Sequence, residues 1–203
     1  ASARRIFHND SIKSGGHWYG GWTKFDSNQR CNFTIDSHPV VQIDANAMIL
    51  CLLSSLTGKP MNMIGSFKDV YQPVVSQIPN ITNSRDKVKQ VIMDLVGSGD
   101  PYKEKPFSDG EILDNVGEYI QIRDLCLQAY PALKCLNKER FNFINDLSYH
   151  EADILTRTLL HLKQIGVVAY PERGGLIVKL GDEFNAVETL KKAFKDYVYS
   201  FQK

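Results

Sequence analysis

The chain has 203 residues, 24 Lys and Arg against 23 Asp and Glu, and 43% hydrophobic residues. That is globular composition, long enough for one large domain or two small ones. A net charge of +1 excludes a global field strong enough to hold a polyanion, so any nucleic-acid or phosphate site has to be local. The longest apolar run, Ala47 to Leu53, falls far short of the roughly 20 residues a spanning helix needs, and no apolar stretch backs Arg4 and Arg5. The expectation is a cytoplasmic protein with no membrane partner. Cys31, Cys51, Cys126 and Cys135 form no C-x-x-C pair and read as free thiols.

In chain order, Gly15 to Trp22 interleaves glycine with aromatic residues, a pattern that suits a twisted strand. Cys31 to Ile35 and Val40 to Asp44 follow as two more strands around the turn residues Asp36 to Pro39, which predicts a three-stranded meander. Asn46 is placed to cap a helix whose apolar positions Met48, Ile49, Leu52, Leu53 and Leu56 run to Gly58. Asp44 therefore stands where a strand hands over to a helix. Residues 61 to 82 carry no clear period, and Pro73 and Pro79 argue against a long helix there.

Ser84 opens the next helix, with the stripe Val88, Val91, Ile92, Leu95 and Val96 stopped at Gly97 to Gly99. Arg85 and Lys89, four apart, share one side of it. Residues 100 to 110 read as a surface loop. Helices are predicted from about Glu111 to Ala129 and from Tyr149 to Gln164, the second with Ile154, Leu155, Leu159, Leu162 and Ile165 inward. Val167 to Pro171, Glu172 to Gly175, and Leu176 to Lys179 read as strand, turn, strand. A last helix from Glu183 to Tyr199 places Phe184, Val187, Leu190, Phe194 and Tyr197 at core-like spacing. The sum is a single α+β domain over 1–203 with an antiparallel sheet and packed helices.

One chemistry suits this arrangement. Nucleotidyl transfer needs carboxylates at strand ends to hold paired divalent ions, and cations on a facing helix to neutralise phosphates. Asp44 fits the first need, Arg85 and Lys89 the second, and the turn at 172 to 175 offers Glu172 and Arg173.

The same ordered segments resemble phage- and prophage-encoded proteins related to the palm and fingers of family A DNA polymerases. Gly15-Gly16-His17-Trp18-Tyr19-Gly20 looks like that family's Gly-Gly-Arg-aromatic strand, and Pro39 to Asp44 like the motif whose Asp binds the catalytic metals. Arg85-Asp86-Lys87-Val88-Lys89 is similar to the fingers helix, and Tyr149 to Val178 to the helix and hairpin bearing Val-His-Asp. The resemblance covers roughly residues 4 to 195. It implies a palm-like fold with a fingers-like helical insertion around 61–135, and Mg2+ as cofactor. Asp44 and Glu172 are the implied metal ligands, and Arg85, Lys89 and Arg173 the phosphate-binding residues, with nucleic acid and nucleotides as partners.

The departures bear on activity. Val-His-Asp is replaced by Glu172-Arg173-Gly174, so glycine stands where the second metal-binding Asp is expected; His17 replaces an arginine and Gln42 an acidic residue. Nucleotidyl transfer is therefore expected to be impaired or altered. Two other classes fit the same residues. Residues 148–179 also read as a winged helix with Arg173 at the wing tip, although Glu151 and Asp153 make its recognition helix acidic. A non-enzymatic interaction scaffold is the third.

Overall fold

The computed structural model describes residues 3–8, 10–45, 47–59, 69–106, 115–137 and 143–200. The predicted cap at Asn46 and the predicted helix start at Glu111 lie outside them. The chain divides into two compact units, one formed by Ala1–Leu52 with Asn145–Lys203, the other by Leu53–Ile144.

The first unit is mixed α+β, with helices packed on antiparallel sheet. β1 (Ala3–His8) pairs with β2 (Ser11–Gly20) as a two-stranded ribbon. A second sheet has the order β3 (Thr34–Ile35), β4 (His38–Asp44), β6 (Gly175–Lys179), β5 (Ala169–Glu172), antiparallel throughout. The meander predicted from the sequence is thus broken. The aromatic strand turns back on residues 3 to 8, and β4 spends its second edge on β6, more than a hundred residues away in sequence. Local turn chemistry cannot reveal that choice, because the β-branched Ile177 and Val178 that complete the sheet arrive late in the chain. Pro171 is tolerated because β5 is an edge strand.

The inner strands are anchored by Leu176, Ile177 and Val178, each at most 1% exposed. α7 (Glu183–Tyr199) packs against β4 and β6. α6 (Phe143–Gln164) begins six residues before the predicted start and buries Leu147, Ala152, Ile154, Leu155, Thr158 and Leu162. Burial of each such Leu or Ile contributes about 1.5 to 3 kcal/mol. Ile165, expected to face inward, is half exposed, and Phe184 lies open on α7, where Ala186, Thr189, Leu190, Tyr197 and Val198 form the buried face instead. Thr158 satisfies its hydroxyl on the Ile154 carbonyl, which is how a polar side chain sits in this stripe. Between the sheets, a short 3-10 turn (Gly21–Lys24) carries Trp22, whose Nε1 donates to the Pro171 carbonyl at 2.7 Å, and α1 (Ser27–Arg30) follows. α2 (Met48–Thr57) then buries Met48, Leu50, Leu52 and Leu53.

The second unit is helical. α4 (Ser84–Ser98) packs against α5 (Val116–Ala129), and both contact the single turn α3 (Gln72–Val75). The Asn115 side chain caps α5 by accepting from the backbone of Gly117 and Glu118, and Lys87 of α4 pairs with Glu118 of α5 at 2.5 Å. Tyr130 closes the unit with its hydroxyl on the Val70 carbonyl. Among the described residues no helix is long and apolar enough to cross a membrane.

Candidate functional site

The β5–β6 hairpin turns through Arg173 and Gly174. Gly174 adopts φ 69°, the left-handed conformation a type II turn demands of its third residue. Its carbonyl accepts from the Ala45 backbone N–H at 2.7 Å, which ties the turn to the end of β4. Gly175 stands opposite both Asp44 and Glu172, so those two carboxylates flank it on one row of the sheet and one face. No side chain fits between them, because a Cβ on Gly175 would meet the Ile43 carbonyl oxygen at 2.2 Å.

The carboxylate that approaches Asp44 at the turn comes from elsewhere. A Cβ built on Gly174 would lie 3.6 Å from Asp44 Oδ1 and 3.5 Å from Glu151 Oε1. The two oxygens are therefore within about 7 Å of each other, with glycine leaving open the space between. Glu151 sits on α6, only 3% exposed, and accepts from the Gly174 backbone N–H. Burial pushes its carboxyl up to about 7, against the opposing pull of that N–H and of Arg173, and the Asp44 charge adds to the rise. From the sequence, Glu151 reads as a charge near a helix start. The readable signal is its spacing: residues 147, 151, 154, 155, 158 and 162 are one helical stripe, and a carboxylate inside an otherwise buried stripe needs a partner.

Cations surround this pair. His17 on β2 is pushed down to about 4, first by burial and then by the charges of Arg173, His8 and Arg5. It is neutral at physiological pH, unlike the arginine its position resembles. Arg5 is fixed by donating Nε to the Gly16 carbonyl at 2.8 Å and by lying over the Phe7 and Trp18 rings. Arg173 is exposed at the turn, in the field of both His17 and Glu151.

The remaining candidates are distributed differently. Glu172 is paired with Arg30 at 3.2 Å, their side chains 15% and 11% exposed. Arg85 and Lys89 belong to the helical unit. Arg85 donates to Asp69 and lies over the Tyr71 ring, and its pKa is raised, chiefly by the Asp69 hydrogen bond. Lys89 is exposed on α4.

These donors do not fit a two-ion magnesium centre. Glu151 is close to half-protonated at neutral pH, Arg173 competes for its charge, and Glu172 is committed to Arg30. Among the described residues no group of three or more His, Cys, Asp and Glu is arranged to hold a metal ion. No family model, curated protein or solved structure matches the chain.

Proposed function

We propose that this protein is a palm-like, nucleic-acid-related domain, similar to small family A polymerases, in which metal-dependent nucleotidyl transfer is impaired. The observation that carries the reading is the setting of Gly174. The position that lacks the second carboxylate opens directly onto Asp44, at the end of the neighbouring strand, as a shared metal site would require. A winged helix fits less well, since a wing projects as a free ribbon and β6 is hydrogen-bonded on both edges.

Substitution of Gly174 by Asp is the direct test. The new Cβ makes ordinary contacts, and Asp is among the few residues that tolerate a left-handed backbone. Primer extension by the wild-type chain with Mg2+ is expected to be at or near background, with Asp44→Ala lowering it by no more than roughly tenfold. Gly174→Asp is expected to raise both Mn2+ affinity and incorporation, and the added Asp44→Ala to abolish the gain. A folded Gly174→Asp protein with neither gain sinks the palm reading. Vigorous wild-type incorporation that depends on Asp44 sinks the claim of impairment.

A further inference from the structure

A second feature lies on the same face of the sheet, away from the turn. Gln42, Ile177 and Tyr170 form one row across β4, β6 and β5, and Asp44, Gly175 and Glu172 form the next row on that face. Beyond them, Trp22, Phe25, Phe33, Val40, Ile177 and Tyr170 enclose a recess of about 270 Å3. Its walls are ring faces and edges. Trp22 and Tyr170 lie 4.9 Å apart at 38°, and Phe25 meets Phe33 edge-on at 5.2 Å.

The neighbouring row supplies a polar border. Arg30 donates to the carbonyl of Phe25, itself a wall of the recess, and reaches Gln42 Oε1 at 3.5 Å and Glu172 Oε2 at 3.2 Å. The ion pair leaves groups unsatisfied: Arg30 Nε and Glu172 Oε2 are buried, and neither has a hydrogen-bond partner among the described residues. A buried donor and a buried acceptor without partners are costly, and each invites a complementary group.

We infer that this recess binds a single nucleobase, its rings among the aromatic walls and its polar edge toward Arg30 and Glu172. An aromatic enclosure selects a flat ring, because every base offers a π-face to stack. An adjacent donor and acceptor select a heteroaromatic edge with the opposite pair, such as the N1 and the exocyclic amine of adenine. The volume lies just below the range of about 300 Å3 and upward typical of ligand pockets, so one ring system enters and the sugar stays outside. No metal is involved, and the site stands whether or not Asp44 takes part in any transfer.

Titration of the full chain with adenosine, followed by ligand-observed NMR and calorimetry, tests this. A short oligo-dA strand is the second arm, and toluene supplies a ring without a polar edge. Adenosine is expected to bind, Phe33→Ala to weaken it by at least about tenfold, and Glu172→Gln to erase the preference over toluene. Phe25, already 44% exposed, gives a second wall variant, Phe25→Ala, that spares the core if Phe33→Ala does not fold. Tighter binding of oligo-dA than of adenosine assigns the base to a strand, and equal binding assigns it to a free nucleoside; both support the site. Absence of binding in both arms at millimolar concentration overturns it, as does adenosine affinity unchanged by the wall variants and Glu172→Gln.

Discussion

Glu151 and His17 respond to the same buried surroundings with opposite signs. Burial lifts Glu151 from an ordinary 4.5 to about 7 and lowers His17 from 6.5 to about 4, since each ring or carboxyl is held in its neutral form. For Glu151 the raised pKa favours the native state below pH 4.5, and that contribution, up to about 3 kcal/mol, is lost as pH rises through 7. For His17 the depressed pKa contributes stability above pH 6.5 that is lost as pH falls through 4. His150, also lowered by burial, acts in the direction of His17. Across pH 4 to 7 the two slopes oppose, so the wild-type chain shows a shallow dependence from this region. Glu151→Gln keeps the acceptor for the Gly174 N–H and removes the titration; its melting temperature should rise with pH over that interval, more steeply than wild type. Equal slopes for the two proteins would mean that Glu151 is not held neutral.

At the scale of elements, the β4–β6 pairing depends on glycine for its close approach. Gly175→Ala would drive a Cβ into the Ile43 carbonyl, a backbone atom that cannot rotate away, with Asp44 Cα at 3.2 Å beside it. Overpacking costs typically 1 to 3 kcal/mol and more against backbone, so we expect a loss of about 3 kcal/mol in chemical denaturation. A change below about 0.5 kcal/mol would show that the two strands separate easily. The hairpin was legible in the sequence because Glu-Arg-Gly-Gly lies between two β-branched runs, and so was the last helix, whose period is strong. The partner of the aromatic strand was not. Its neighbour, β1, has little alternation of apolar and polar residues, and Arg5 and His8 disguise it as a polar terminus.

For the whole molecule, the unit that carries the candidate site is discontinuous, with 1–52 and 145–203 flanking the helical unit in sequence. β4 has only the two-residue β3 on one side, so most of its amide protection has to come from β6 on the other. A chain ending at Gly166 removes both β5 and β6 while keeping α6. Hydrogen exchange at residues 40 to 44 should then accelerate to the rate of an unprotected segment, while α4 and α5 stay protected. Protection retained at residues 40 to 44 would show that the first half folds alone.

The sequence by itself determined the element types, the α+β class and the position of Asp44 at the end of a strand, because those follow from local period and turn chemistry. It also exposed the loss of a carboxylate at Gly174, since a residue's identity needs no fold to be read. The tertiary structure alone decided which carboxylate meets Asp44. Glu172, next in sequence to the turn, is drawn to Arg30, while Glu151, more than twenty residues earlier, is carried by α6 to the opening that Gly174 leaves. Pairing across long sequence separations is set by which buried faces complete one another, and no window along the chain contains that information.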